Sequence, residues 1–213
     1  VIPSQPDSIK VELDDTNSQT TADKGYAPEG DVYINGLLLE RPFTQDMKYR
    51  PDLDILSANI GNDANFIYVT IHLQGTNPDT GTLAGWYGVE LDMDADGRGD
   101  YLIWTAPPAS SEWSIDNVQV LADADNDIGN ATPLKSDAPS DIQGDGYEQI
   151  LFSAQQLSDP DAAWSRLGPN ENTIQIAFKS SIFDEDKFLW GVWADDGLKN
   201  PGMFDYNDAI TLE

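Results

Sequence analysis

Apolar and polar residues alternate along much of this chain, and the alternation has the period of a β-strand. In residues 66–73 every second residue, from Ile67 to Leu73, is aliphatic, as in a strand with one buried face. A similar run over residues 52–60 precedes it, and the turn between them, 61–65, is rich in Gly, Asn and Asp. The two runs therefore predict a β-hairpin in the first half of the chain.

Short runs of this kind recur to the end of the chain, separated by turn-forming residues. The one helical candidate, Ser153–Leu167, is interrupted by Pro160, which removes a helical hydrogen bond. Many short strands with little helix predict an all-β, antiparallel β-sandwich (jelly roll) of about ten strands. The strands are predicted at 8–13, 31–40, 52–60, 66–73, 85–92, 101–105, 113–121, 147–152, 173–179, 188–194 and 209–212.

The first 24 residues are predicted to form an arm ahead of a single sandwich domain at 25–213. Ile9, Val11 and Leu13 fall on one face of a strand, and a long polar loop follows. Two arrangements are compatible with this pattern. The segment is either the first strand of its own sheet or a donor strand that completes the sheet of a neighbouring subunit.

The net charge of the chain limits the kinds of partner that it can bind. The chain has 38 acidic and 11 basic residues, a formal charge of −27, which excludes nucleic acid and disfavours anionic membrane surfaces. Membrane insertion is not expected, because no apolar run approaches the roughly 20 residues of a membrane span. Self-repulsion at this charge destabilises a compact state, so bound cations are expected. Of the acidic residues, 29 are Asp and nine are Glu. That bias favours turns and short oxygen ligands, although a halophilic surface is compatible with it.

The most specific motif is the loop Asp92–Asp100. Asp92, Asp94 and Asp96 alternate before Gly97, which matches the first half of a calcium loop, where Arg98 would offer its carbonyl and Asp100 would close the ring. Ile103 stands where an EF-hand has its bidentate Glu, and the flanks are predicted strands. The loop is therefore predicted to bind Ca²⁺ within a β-sandwich.

A second acidic stretch repeats the alternation. Asp123, Asp125 and Asp127 predict another Ca²⁺ site, although this loop lacks a glycine at its sixth position. A looser stretch over residues 137–145 is interpreted as a polar loop. The chain contains no cysteine, so thiolate metal sites and disulfides are excluded.

Catalytic groupings are absent from the sequence pattern. A glycosidase needs two opposed carboxylates, but among 38 acids a pair is uninformative. Glu90 is interpreted as an exposed strand residue, and the single histidine, His72, lies on a strand face with aromatic residues. The protein is accordingly predicted not to be an enzyme. Trp113 and Trp164 are the tryptophans expected to be most exposed, and they are the candidate platform for a polysaccharide ligand.

Residues 52–105 resemble the calcium-binding jelly rolls of the DOMON and family-9 carbohydrate-binding-module type, as found in secreted bacterial proteins. The features are the Asp52-Leu-Asp-Ile run, the hairpin into Ile67–Ile71, and a strand that ends in the Asp92–Gly97 motif. The resemblance implies the fold, Ca²⁺ as cofactor, and export. The start VIPSQPDSIK, without Met, is read as a processed, exported start. The predicted function is a secreted or cell-surface subunit that self-assembles into a filament or matrix; the alternative is a secreted carbohydrate-binding module.

Overall fold

Two β-sheets pack face to face in this protein. The computed structural model describes residues 1–29, 38–44, 46–128, 146–154, 159–183 and 187–196. The described strands form a five-stranded sheet in the order β1-β3-β4-β10-β9 and a six-stranded sheet in the order β2-β11-β5-β6-β7-β8. Every neighbouring pair is antiparallel except β11 with β2. The predicted all-β sandwich is therefore confirmed, and jelly-roll connectivity stays a prediction.

The strand bounds agree with much of the sequence pattern. The strands are β1 Ser8–Asp14, β2 Leu38–Glu40, β3 Ile55–Asn62, β4 Phe66–Leu73, β5 Trp86–Asp92, β6 Tyr101–Thr105, β7 Val118–Ala122, β8 Gln149–Ser153, β9 Ala163–Leu167, β10 Thr173–Lys179 and β11 Leu189–Asp195. Two 3-10 helices lie at Ser18–Lys24 and Ser180–Ile182. No helix in the described ranges is long and apolar enough to cross a bilayer.

The main hydrophobic core lies between the two sheets. The aliphatic residues of β4 that alternate in the sequence, Ile67 to Leu73, are buried there beside Val89 and Leu91 of β5. A second apolar cluster covers the outer face of the six-stranded sheet, where Trp104 and Trp193 pack with Ile128 and Tyr147. The six-stranded sheet is thus apolar on both faces, so its strands do not show a simple alternation of apolar and polar residues.

The one helical candidate, Ser153–Leu167, ends in a strand. Its last five residues form β9, which pairs with β10 from Ala163 to Leu167. Tertiary pairing, with Ala163 and Ser165 buried and Trp164 on the opposite face, determines that conformation. The strand predicted at 113–121 begins only at Val118. The predictions for residues 31–37, 137–145 and 209–212 lie outside the described residues.

The N-terminal arm pairs with its own chain. Strand β1 lies at the edge of the five-stranded sheet and pairs with β3 from Ser8 to Asp14. The expectation that Ile9, Val11 and Leu13 share one face is wrong, because the register shifts between Ile9 and Val11. Val11 and Leu13 face the core side, opposite Ile60 and Ala58, whereas Ile9 lies opposite Gly61 on the outer side.

Candidate metal centre

Both acidic loops lie at the same end of the six-stranded sheet. The first joins β5 to β6, whose residues Leu91 and Tyr101 are paired. Tyr101 also pairs with Ala122 at the end of β7, and Ala122 pairs with Gln149 at the start of β8. The backbone N–H of Asp123 donates to the carbonyl of Asp100 at 3.0 Å, so the ladder holds the two loops side by side.

The first cluster contains Asp92, Asp94 and Asp100, with one carboxylate oxygen from each lying within 4.8 Å of the others. Asp92 is buried, and its two oxygens accept the backbone N–H groups of Ala95 and Gly97, each at 2.7 Å. Asp100 Oδ2 accepts the N–H of Met93 at 2.6 Å. The carboxylates are therefore oriented by backbone donors toward one small volume.

The second cluster contains Asp123, Asp125 and Glu148, again with one carboxylate oxygen from each lying within 4.8 Å of the others. Asp123, only 9% exposed, accepts the N–H of Asn126 at 2.7 Å through Oδ1 and that of Ile128 at 2.9 Å through Oδ2. Glu148 Oε1 accepts the N–H of Ala124 at 2.9 Å. Carboxylates from the loop that follows β7 and from the residue just before β8 thus lie close together.

The two loops share a hydrogen-bonding pattern. In each, the first Asp accepts N–H groups from the third and fifth residues after it. The third residue after that Asp has a positive φ in both loops, 61° at Ala95 and 60° at Asn126. The loops differ at the sixth position, where Gly97 has a φ of 92° and Ile128 has no positive φ. Ile128 is instead fully buried in the outer apolar cluster.

Electrostatics in the first cluster disfavour the charged form of two of its carboxylates. Burial raises the pKa of Asp92, backbone N–H groups oppose that shift, and the charge of Asp96 adds to it. Burial likewise raises the pKa of Asp100, against the Met93 N–H, with added repulsion from Asp94 and Asp92. A raised carboxyl pKa means that the charged form is disfavoured, and a divalent ion would remove that cost.

A buried hydrogen bond joins two residues that lie near the clusters in the sequence, Glu90 before Asp92 and Tyr147 before Glu148. Tyr147, next to Glu148, donates its hydroxyl to Glu90 Oε1 at 2.8 Å. Burial raises the pKa of Glu90 to about 7, although the Tyr147 hydrogen bond opposes the shift. Gly99, beside Asp100, permits this contact, since a Cβ there would lie 1.8 Å from Tyr147 Oη. Glu90 is 5% exposed, so its interpretation as an exposed residue is wrong.

The two structural clusters contain some of the Asp residues that the sequence predicted as ligands, and leave out others. Asp96 lies outside the first group and accepts the N–H of Arg98 at 2.9 Å. Asp127 lies outside the second and accepts the N–H of Gly146 at 3.2 Å. The ligand roles of Asp96, Asp127 and the Arg98 carbonyl stay predictions. The sequence pattern did not predict that Glu148 belongs to this cluster, because only the pairing of β7 with β8 brings it beside Asp123.

The two candidate sugar-stacking residues lie in one cluster on the outer face of the five-stranded sheet. Trp113 and Trp164 are half-buried and pack around Phe66, Tyr68 and Ala177. The Arg166 guanidinium lies 4.3 Å from the centre of the Trp113 ring. Among the other tryptophans, Trp86 is also half-buried, while those at 104, 190 and 193 are buried. Aromatic rings and polar groups therefore share one accessible sheet face.

Comparison of the chain with protein-family models, with curated proteins and with solved structures found no match. The resemblance to the DOMON and family-9 carbohydrate-binding-module type therefore stays a prediction, and function is argued from the geometry alone.

Proposed function

We propose that this protein is a non-enzymatic, calcium-stabilised β-sandwich that acts outside the cell as a subunit of a self-assembling surface structure, filament or matrix. The observation that carries the proposal is the pair of acidic clusters, Asp92–Asp94–Asp100 and Asp123–Asp125–Glu148, at one end of one sheet. Each supplies several carboxylate oxygens at short spacing, the donor type that Ca²⁺ takes in proteins. Millimolar Ca²⁺ outside the cell suits sites of this kind, since extracellular modules bind it with Kd values of about 10⁻⁴–10⁻³ M.

The net charge supports a structural role for the ion. At −27, copies of the chain repel one another as well as repelling themselves internally. Calcium bound at two surface loops reduces both repulsions. The ion would therefore promote folding and association together, which is the behaviour expected of a subunit that assembles only after export.

Calcium-dependent association tests this proposal. Sedimentation velocity of the protein in about 5 mM CaCl₂, several times the upper end of the Kd range for extracellular calcium modules, is expected to reveal large species that EDTA converts to monomers. Mg²⁺ at the same ionic strength is expected to be weaker, because it prefers an octahedral site that keeps several waters. A monomer at all calcium concentrations, in solution and by electron microscopy, would exclude the assembly role.

A second function is favoured by the aromatic face. Trp113 and Trp164, with Arg166 and Gln175 beside them, combine flat apolar surfaces with hydrogen-bonding groups, as sugar-binding faces do. If the protein is a carbohydrate-binding module, Trp113→Ala and Trp164→Ala are expected to reduce glycan-array signals at least tenfold, and Trp86→Ala is the matched half-buried control. An array without signal for the unmodified protein would reject this alternative.

A further inference from the structure

The first 14 residues of the predicted N-terminal arm form an extended segment, which is called the arm from here on. Residues 1–7 lie across the outer face of the five-stranded sheet, and residues 8–14 form β1. The backbone N–H of Ser4 donates to Tyr68 Oη at 3.1 Å, and Trp113 Nε1 donates to the Ser4 carbonyl at 3.3 Å. The N–H of Asp7 donates to the carbonyl of Asn62 at 3.0 Å. The arm is therefore held through its backbone by the aromatic face and by the β3 edge.

Gly61 makes the close approach of the arm possible. A Cβ built on Gly61 would lie 2.4 Å from the Ser8 carbonyl oxygen and 3.0 Å from Pro6 Cβ. Gly61 is paired with Tyr68 on the adjacent strand. Gly61, Tyr68 and Trp113 therefore form one acceptor surface, fitted to an extended, proline-bearing segment.

The arm makes few buried contacts for its length. Pro3 is its only buried residue, and only Pro6 and Leu13 are half-buried. Ile9 and Val11 remain 56% and 42% exposed. On the core side of β1, Val11 borders a groove of about 580 Å³ that Ile60 and Trp190 also line. A strand that borders a groove makes fewer dispersion contacts than one packed against other side chains, and weakly buried elements detach at low free-energy cost.

The outer edge of β1 is protected against direct pairing with another edge. Its register shift at Lys10 is a bulge, and the charged side chains of Lys10 and Glu12 border it. Bulges and charges are the features that keep edge strands from joining. The exposed Ile9 and Val11 therefore point to movement of the whole arm, with its acceptor surface left behind, and not to a sheet extended through β1.

We infer that the arm, residues 1–14, is exchanged between copies, and that its acceptor is the Gly61–Tyr68–Trp113 surface of a second copy. The inference rests on the self-assembly part of the proposed function and names the surfaces that join. An exchanged arm makes in the neighbour the contacts it makes in its own chain, the low-cost route to association known as domain swapping. Asp15 and Thr16, between β1 and the first 3-10 helix, are the hinge.

Cysteine cross-linking tests the exchange directly, because the chain has no cysteine of its own. Ser8 and Asn62 are cross-strand partners, as are Asp14 and Ser57, and antiparallel partners have the Cα separation that a disulfide requires. Ser8→Cys and Asn62→Cys chains are unfolded together, refolded with Ca²⁺ and oxidised. We expect a dimer on a non-reducing gel whose linked peptides join residues 8 and 62.

Register provides the control. Asp14→Cys with Ser57→Cys is expected to cross-link between chains, whereas Ser8→Cys with Ser57→Cys is not. Gly61→Ala in the Asn62→Cys chain is expected to abolish the link between residues 8 and 62. Asn62→Ala, which keeps the backbone acceptor, is expected to leave assembly unchanged, and circular dichroism checks that Gly61→Ala still folds.

The outcomes separate this inference from the function on which it rests. Sedimenting assemblies without a disulfide between residues 8 and 62 of different chains would leave self-association standing and overturn the exchange. A disulfide that forms only when both cysteines are in one chain would also overturn it. A protein that stays monomeric would overturn both. Glycan binding lost in Trp113→Ala, with no link between chains, would assign the aromatic face to sugar instead.

Discussion

Removal of calcium is expected to lower the melting temperature of this protein by about 10–20 °C. Each occupied site would contribute roughly 2.7 kcal/mol at a free calcium concentration 100 times its Kd, and 1 kcal/mol moves the Tm of a domain of this size by about 2–4 °C. Two clusters of three carboxylates are available, and loss of a bound ion would restore their mutual repulsion. Scanning calorimetry at matched ionic strength, in EDTA and in CaCl₂ at about 100 times the Kd that a calcium titration gives, measures the difference.

A single amide substitution makes this prediction sharper. Asp100→Asn keeps an oxygen for the Met93 N–H but removes a charge from the first cluster. In CaCl₂ the variant is expected to melt below the unmodified protein, because a ligand charge is lost. In EDTA it is expected to melt at the same temperature or higher, since burial, with added repulsion from Asp94 and Asp92, raises the pKa of Asp100, so its ionised form is disfavoured.

The control for this experiment is an acid away from both loops. Asp116 is exposed and lies outside both clusters, so Asp116→Asn changes net charge by the same amount. It is expected to leave both melting temperatures within about 1 °C of the unmodified protein, as surface substitutions usually do. Equal effects of Asp116→Asn and Asp100→Asn would mean that the first cluster holds no ion. A Tm that EDTA does not change would mean that neither cluster holds one.

Loss of the buried Arg50 side chain is expected to lower the free energy of unfolding by about 3–5 kcal/mol, the usual cost of breaking a buried ion pair. Arg50 Nε and Nη2 donate to the two oxygens of Asp52 at 2.7 and 2.8 Å. Asp52 is fully buried and also accepts the N–H of Ala84 at 3.1 Å. Arg50→Leu therefore leaves a buried carboxylate without its cation, and urea unfolding measures the effect.

Two further variants identify the cause of that loss. Arg50→Leu with Asp52→Leu removes both charges and is expected to recover part of the stability, because no buried ion is left unpaired. Lys48→Leu breaks the exposed Lys48–Asp79 pair and is expected to cost less than about 1 kcal/mol. A double variant less stable than Arg50→Leu would show that packing, and not the unpaired charge, explains the result.

The sequence predicted the features that depend on neighbouring residues. Alternation in residues 66–73 identified β4 and the side of it that faces the main core. The Asp92–Gly97 spacing identified a loop whose conformation follows from Asp side chains accepting nearby N–H groups. These interactions span at most five residues along the chain. Such local patterns are encoded directly by residue type and spacing, so no knowledge of the fold was needed to find them.

Tertiary structure alone decided the features that depend on distant pairing. Glu148 joins Asp123 and Asp125 only because β7 and β8 are neighbours across a long connection. Glu90 is buried because Tyr147 and Ile128 cover the outer face of its sheet, and β9 is a strand because β10 pairs with it. Sequence spacing carries no information on which distant segments meet, since that is set by the packing of the whole core.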